Sequence, residues 1–296
     1  MKKLKRLFLF AGFDKDNIVD DTVVYYVNAL SKFGDVVFVM DNDLPKNQLE
    51  KISKMPHVLY ANGMRHGEYD FGSYKRAYLW AKQNKILDDY DWLYLVNDSV
   101  YGPLWDLTNV LDNLENSDAD LVGMTANCDK CTPEHVQSWF VGCAHKVFAS
   151  DFFDKFMCKI TRIPNKTALV LKYEVGLSWM IVRRGFKMKT LVNAKDNNIY
   201  QEPCSILIKG VPFVKKNGAA NLRKLYFLNP HIEDDVYLDY MVAHMQRHNV
   251  KLQDILRNVY DLRLFGIPLL RVSVKGSSGA YKVYLFNCIP ILKITK

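Results

Sequence analysis

The sequence predicts an α/β fold with a mostly parallel sheet flanked by helices, and three observations point to it. Short apolar runs alternate with segments of helical period through the first half of the chain, the pattern of successive βα units. One of these runs, Trp92-Leu93-Tyr94-Leu95-Val96, is apolar throughout, as a strand buried in the middle of a sheet must be. The chain has 296 residues, 49% of them hydrophobic and 24% charged, enough for one large domain, or one domain plus an appendage, with a proper core. Wholesale disorder and fibrous repeats are excluded by the same composition.

Taken in order, residues 5–10 form the first strand. Asp20 or Asp21 caps a helix whose apolar positions Val23, Val24, Val27 and Leu30 follow the 3.6-residue period and stop near Gly34. Residues 36–40 make a second strand, followed by the acidic loop Asp41-Asn42-Asp43, and residues 57–60 a third. A helix over 69–84 precedes the strand at 91–96. Next come a helix near 104–114, a strand at 120–124 and an extended stretch over 136–147. Residues 173–184 read as a helix ended by Gly185, residues 186–192 as a strand, and residues 234–260 as one long amphipathic helix. The expected division is a main unit over 1–230 and a C-terminal extension over 231–296.

No apolar stretch approaches the roughly 20 residues that a spanning helix needs. Met1–Arg6 is basic like the head of a signal peptide, but the apolar part ends at Asp14–Asp16 and no small-residue cleavage site follows. The expectation is a cytoplasmic protein whose six cysteines are reduced thiols. Net charge is +8, yet residues 241–296 alone carry nine basic and two acidic residues, so the first 240 residues are almost neutral. A uniformly basic chain would point to nucleic acid. A basic tail on a neutral body points instead to an anionic membrane surface, with a merely solvated tail as the alternative. Within the tail, the segment Leu264-Phe265-Gly266-Ile267-Pro268-Leu269-Leu270-Arg271 recurs loosely as Leu285-Phe286-Asn287-Cys288-Ile289-Pro290-Ile291-Leu292-Lys293. This echo is either a pair of interfacial clips lying on lipid or a β-hairpin covering the core. Nothing in the sequence sets an oligomeric state.

Most of the chemistry-bearing residues fall between Asn62 and Pro103. Gly63, Gly67 and Gly72 surround Arg65, Glu68 and Asp70 ahead of a helix, an arrangement that suits an anionic ligand such as phosphate. Asp98 stands where the buried strand should emerge, a costly place for a carboxylate without a task. A divalent ion clamped to a diphosphate would supply one, since Mg²⁺ often takes one or two protein carboxylates and fills its shell with phosphate and water. The competing reading is an Asx-turn or helix cap leading into Gly102-Pro103. Asp14 after the first strand and Asp41 or Asp43 after the second are placed to meet a nucleotide's base or ribose. Two metal-like spacings are set aside: Cys128-x-x-Cys131 lacks a second such pair, and His244 and His248 lack the intervening Glu of a zinc protease. Ala11-Gly12-Phe13-Asp14 is not the G-x-G-x-x-G turn of a methyltransferase-like or dinucleotide-binding enzyme.

Five blocks together carry a resemblance: Tyr69-Asp70-Phe71-Gly72-Ser73-Tyr74-Lys75, Leu95-Val96-Asn97-Asp98-Ser99-Val100-Tyr101-Gly102-Pro103, Val122-Gly123-Met124-Thr125, His135-Val136-Gln137-Ser138-Trp139-Phe140 and Tyr173-Glu174-Val175-Gly176-Leu177. In this order, over residues 8–217, they resemble the rhamnan synthesis protein F family of bacterial glycosyltransferases. The resemblance implies a GT-A-like, Rossmann-type mixed sheet. It also implies a role in building rhamnose-containing polysaccharide or lipopolysaccharide of the bacterial cell envelope. A nucleoside-diphosphate sugar would be the donor and a glycan or lipid-linked glycan the acceptor, at the inner face of the plasma membrane.

More distantly, the strand end is similar to the broad GT-A transferases, which place Asp-x-Asp there to hold Mn²⁺ or Mg²⁺. Asn97-Asp98-Ser99 supplies one carboxylate where two are usual. A non-catalytic sugar-binding subunit therefore stays open as the alternative. If no metal binds, cations such as Arg65, Lys75 or Lys215 would neutralise the leaving diphosphate. By resemblance, Asp98 holds metal and diphosphate, while Asn97, Ser99, Asp70 and the cations bind the donor. Glu174 takes the acceptor's proton in an inverting transfer, and Gln137, Ser138 and Trp139 meet the acceptor. For Glu174 the competing reading is an acid favourable to a helix N-terminus, and for Trp139 a buried aromatic.

Overall fold

The computed structural model describes residues 4–129, 132–221 and 235–248, and the backbone of 257–264, 267–275, 280–285 and 289–294. β1 (Arg6–Gly12) is buried along its whole length, because Arg-Leu-Phe-Leu-Phe-Ala-Gly has apolar side chains on both faces and layers of helix on each side. Asp20 caps α1 (Asp21–Ser31), its Oδ1 accepting the Thr22 N–H at 2.9 Å. β2 (Asp35–Met40), α2 (Lys46–Ser53), β3 (Val58–Gly63), α3 (Tyr69–Gln83) and β4 (Trp92–Asn97) complete the βα half. The short β5 (Val100–Tyr101), α4 (Thr108–Glu115), β6 (Leu121–Asp129), β7 (Thr132–Val136) and β8 (Phe140–Ala144) follow.

After α5 (His145–Phe148) and α6 (Asp151–Cys158) the chain enters one continuous helical run. It consists of α7 (Lys166–Leu169), a π-helical turn (Val170–Val175) and α8 (Gly176–Val182). β9 (Met188–Val192), α9 (Pro203–Ile208), β10 (Val214–Lys215) and α10 (Asp235–Arg247) come next, then β11 (Arg257–Leu264), β12 (Ile267–Lys275), β13 (Ala280–Leu285) and β14 (Ile289–Ile294).

The main sheet has the order β3-β2-β1-β4-β8-β6-β7, with β9 beside β6. Pairings among β3, β2, β1 and β4 and between β6 and β9 are parallel; those of β8 with β4 and β6, and of β7 with β6, are antiparallel. The expected α/β class and mixed, mostly parallel sheet are therefore what the chain forms. β8 enters the centre of the sheet because Gly142 lets it close in: a Cβ there would lie 2.5 Å from the Tyr94 ring and 2.7 Å from Val122.

Three expected elements are corrected. The stretch 136–147 is not continuous: β7 ends at Val136, a turn carries Gln137–Trp139, and β8 gives way to α5 at His145. The helix expected from Tyr173 starts at Lys166, where Asn165 caps it by accepting the Ala168 N–H at 2.9 Å. It ends at Val182, two residues before the expected Arg184, and the turn that follows reaches Gly185 at φ +85°. The helix expected over 234–260 spans Asp235–Arg247, and residues 257–264 belong to a strand. The reason is sequence-local: Val259-Tyr260 and their neighbours pair as strand with β12, whereas an isolated helix would leave their backbone preference unused.

Each copy of the C-terminal echo begins on the last residue of one strand, Leu264 of β11 or Leu285 of β13, and continues into the start of the next. Ile267-Pro268 opens β12 and Ile289-Pro290 opens β14, in a separate antiparallel sheet ordered β11-β12-β13-β14. Register shifts by one residue beside each proline, at Leu262/Arg263 and at Val283/Tyr284. A bulge is where a strand tolerates a residue with no N–H to donate. Residues 276–279, between β12 and β13, lie outside the described residues.

Candidate active site

Parallel β2, β1 and β4 deliver their C-terminal ends to one edge of the sheet, where ligands of open α/β folds bind. β4 ends in Asn97-Asp98-Ser99. The Asp98 N–H donates to the Ala11 carbonyl at 3.1 Å, and one carboxylate oxygen, Oδ2, accepts the Phe13 N–H at 3.2 Å. Among the described residues no other group hydrogen-bonds this carboxylate. The Asx-type turn expected as an alternative exists, but Asn97 makes it, its Oδ1 accepting the Ser99 N–H at 3.1 Å. Asp98 is left facing a cleft.

That cleft has two lobes, of about 420 and 380 Å³, and Phe13, Tyr69, Asp70 and Asp98 line both. Burial raises the Asp98 carboxyl above its ordinary range, and Lys216 opposes the rise. A buried polar chain ties the centre together. Asn97 Nδ2 donates to Asp70 Oδ2 at 2.8 Å, Ser99 Oγ donates to Asn97 Oδ1, and Lys215 Nζ donates to Ser99 Oγ at 2.6 Å. Antiparallel pairing of β10 with β5, Lys215 opposite Val100, brings that lysine across 116 residues of sequence. Burial pushes Asp70 up to about 7, helped by the charge of Asp98. Burial likewise pushes Lys215 down to about 8 against the pull of Asp70, Glu174 and Asp98. Gly102 holds β5 in place: its φ is +134°, and a Cβ would sit 2.5 Å from the Pro212 carbonyl oxygen.

In the 380 Å³ lobe, Asp41 organises the glycine-bearing loop. Its Oδ1 accepts the backbone N–H groups of His66 and Gly67 at 2.6 and 2.8 Å, and its Oδ2 pairs with Arg65 at 2.9 Å. Arg65 is half-exposed and lies 4.9 Å from the Phe13 ring centroid. Arg162 lines the same lobe.

In the other lobe, Glu174 Oε2 accepts the Ser138 N–H at 2.8 Å and the Ser138 hydroxyl, while Oε1 faces His135 Nε2 at 3.5 Å. Burial alone would raise this carboxyl, but the two hydrogen bonds from Ser138 and the nearby His135 ring prevail and hold it below its ordinary range. Because the helix begins at Lys166, Glu174 sits in the π-helical turn within it, and a helix N-terminus does not account for the acid.

Comparison with known proteins gives a match to the model of rhamnan synthesis protein F over residues 36–263, most of the chain. The chain belongs to the rhamnan synthesis protein F family. It is 26% identical over 169 residues to the uncharacterised protein y4gN of Sinorhizobium fredii, and the match spans 56% of this chain and 43% of that protein. The chain thus matches less than half the length of this relative. Among solved structures it is similar to the glycosyltransferase GlyE of Streptococcus pneumoniae, with 12% identity, TM-score 0.40 and coverage of 88% of this chain and 67% of that one. It is also similar to the mannosyltransferase Ktr4p of S. cerevisiae, with 9% identity, TM-score 0.35 and coverage of 51% and 59%.

Four of the five blocks reach the cleft, through Tyr69, Asp70 and Phe71, through Asn97, Asp98, Ser99 and Tyr101, through Gln137, Ser138 and Trp139, and through Glu174, whereas the block Val122-Gly123-Met124-Thr125 lines neither lobe. Lys75 points away, its Nζ donating to the Ile160 carbonyl at 2.7 Å, and it lines neither lobe. Trp139 is 1% exposed, donates its indole N–H to Thr125 at 3.1 Å and packs edge-on against Phe213. It forms the floor of the cleft, and the expected stacking face for a sugar is not available. Gln137 is also committed, accepting from Thr125 and from Asn197 Nδ2 at 2.7 and 2.9 Å.

Outside the family blocks, Asp14 lines the cleft but is held by Arg247 of α10 at 2.7 Å. Burial would raise Asp14, and Arg247 and the Asp16 N–H more than offset that. Sequence reasoning missed several lining residues: the exposed aromatics Phe13, Tyr69 and Tyr200, the cations Arg162, Lys166 and Lys216, and the functional setting of His244 and His248. His244 is buried, with Nδ1 2.8 Å from the Tyr101 hydroxyl, and stacks on His248 at 4.3 Å. Phe13 and Tyr69 did have a signal, since each sits next to an acid that was singled out. Of the set-aside cysteines, Cys128 is exposed, and Cys131 lies outside the described residues.

Proposed function

We propose that this chain transfers a hexosyl unit, a deoxyhexose such as rhamnose, from a nucleoside-diphosphate sugar to a cell-surface polysaccharide or lipopolysaccharide glycan, with inversion at the anomeric carbon. The observation that carries the reading is Asp98, aimed into a two-lobed cleft at the carboxyl edge of the sheet and ringed by Arg65, Arg162, Lys166, Lys215 and Lys216. A diphosphate leaving group needs such positive charge, placed in advance where negative charge develops. The 380 Å³ lobe, with Arg65 and Phe13 at its wall, takes the nucleotide, and the lobe holding Glu174 takes the acceptor. Glu174 is ionised at neutral pH and receives the acceptor's hydroxyl proton, with His135 and Ser138 steadying it. Asn97 and Ser99 act from behind, orienting Asp70 and Lys215 towards the donor.

The residues fit a divalent cation held mainly by its substrate. Among the described residues, one Asp98 carboxylate oxygen accepts no hydrogen bond, and no group of three or more His, Cys, Asp and Glu side chains suited to a metal occurs. Mg²⁺ or Mn²⁺ would take Asp98, diphosphate oxygens and water, and when bound would add its charge to the neutralisation of the leaving group.

We place the boundary of the catalytic unit after α10, whose Tyr237, Met241 and Met245 pack in one apolar cluster with Tyr101 and Leu104. Work at the cytoplasmic face of the inner membrane, with the basic segment 241–296 touching anionic lipid, completes the reading. Among the described residues no helix is long and apolar enough to cross a membrane.

The test is incubation of the purified chain with a panel of nucleotide sugars, with and without Mn²⁺, following donor hydrolysis and transfer. Asp98→Ala is expected to abolish turnover and leave the thermal midpoint nearly unchanged. Full activity in that variant refutes the assignment, and donor binding without any turnover in the natural sequence favours a binding subunit.

A further inference from the structure

The face of α6 and α8 away from the sheet carries a second, shallow groove of about 350 Å³ that shares no residue with the cleft. Its floor is apolar and aromatic: Phe152, Phe156, Tyr173 and Met180. The charged residues lining it, Lys155, Lys159, Lys172 and Arg184, are all cations. Two of these lie over the floor, Arg184 at 4.5 Å from the Phe152 ring centroid and Lys172 at 5.2 Å from that of Tyr173. The pattern continues around the helix. At 3.6 residues per turn, Arg183 and Trp179 follow Met180 and Arg184 towards solvent. Trp179 is 49% exposed with Arg183 lying 4.3 Å over its ring, and Val182 beyond it is 43% exposed.

We propose that this face docks on an anionic phospholipid bilayer. Exposed Trp179, interleaved with Arg183 and Arg184 beside the aromatic floor and lysines of the groove, matches the boundary between acyl chains and negative headgroups. Tryptophan in particular favours that depth, with an apolar body and one N–H to leave wet. Cations stacked on ring faces keep their charge presented above the apolar floor, and their stems cover the rest. An acidic protein would need the charge but not the exposed Trp179. A second copy of this chain would meet the same cations with its own.

The helical run 166–182 lies between groove and cleft: Tyr173 lines the groove and the next residue, Glu174, lines the cleft. A bilayer engaged here would hold its surface beside the lobe assigned to the acceptor. Docking itself does not depend on the transferase reading, and the test measures binding alone.

Full-length protein is sedimented with vesicles of phosphatidylcholine alone and of phosphatidylcholine mixed with an equal amount of phosphatidylglycerol. Binding is expected to the mixed vesicles only, with a blue shift in tryptophan emission that Trp179→Phe removes. Each basic residue near an anionic surface contributes about fivefold, so Lys155→Glu/Lys159→Glu/Arg184→Glu should weaken binding by roughly a hundredfold or more. The milder Lys159→Gln/Lys172→Gln, expected to lose roughly twenty-fivefold, covers the case in which the charge reversals disturb folding. All variants keep the basic C-terminal segment, so a loss reports this face. Binding unchanged in both charge variants assigns the membrane contact elsewhere and overturns the proposal. So do equal binding to neutral vesicles, no binding at all, or a self-association that the variants abolish.

Discussion

Asp70 and Lys215 set the pH range in which the site carries its working charges. Burial leaves Asp70 protonated below about 7 and Lys215 neutral above about 8. The state with an anionic Asp70 and a cationic Lys215 therefore peaks between the two values. Transfer activity is expected to follow a bell with limbs near them, measured as kcat/KM against pH with saturating metal. The stability signs are separate. Asp70, raised above its unfolded value near 3.8, contributes stability that is complete below that value and lost as pH rises through about 7. Lys215, lowered from 10.5, makes the opposite contribution, so stability recovers as pH rises from about 8 towards 10.5. A flat rate profile across both limbs would show that neither charge is used in turnover.

At the scale of elements, burial decides which features the sequence displays. The apolar runs of β1, β2 and β4 are legible because a strand covered on both faces has nowhere to place a polar side chain. Two-residue β5 and β10 are too short to show any period, yet their pairing is what sets Lys215 beside Ser99. The π-helical turn disrupts the 3.6-residue pattern just where Glu174 lies, which is why the helix start was misplaced by seven residues, from Lys166 to Tyr173. The position of Asp98, just after β4 and lining the cleft, is legible from the apolar run before it, but chemical type alone could not separate Lys75, turned to a carbonyl, from Lys215.

The same logic gives a test of how β1 and α4 are joined. Arg6 at the start of β1 donates to both oxygens of Glu115 at 2.6 Å, and the Tyr94 hydroxyl donates to the same carboxylate at 2.7 Å. The Glu115 side chain is fully buried and that of Arg6 nearly so. Glu115→Ala would strand a buried guanidinium, a loss of about 3–5 kcal/mol. Urea unfolding should show it as a lower midpoint with an unchanged slope. A change under about 1 kcal/mol would mean that water reaches the guanidinium in the variant.

Over the whole molecule, the cleft is closed by a contact that no local pattern announces. Arg247, at the end of α10, reaches Asp14 at 2.7 Å, Asp16 at 2.8 Å and Asp20 at 3.2 Å, which joins that helix to the loop after β1 and to the cap of α1. His248 follows, 3.8 Å from Asp14, and both histidines of this segment line the cleft. Removing the guanidinium leaves three carboxylates facing one another with their counter-charge gone. Arg247→Met is expected to cost roughly 1–3 kcal/mol, less than a fully buried pair because the arginine is partly solvated. The loss should also depend on pH. Asp14 is held below its ordinary 3.8, so its stabilising contribution is present above that value and disappears as pH falls through the lower folded one. The variant and the natural sequence should therefore converge in stability on acidification. With the wall formed by α10 loosened, donor KM should rise more than kcat falls, since Asp98 and Lys215 are anchored to β4 and β10 rather than to α10. An unchanged KM together with the expected drop in stability would show that α10 fastens the fold without shaping the donor site.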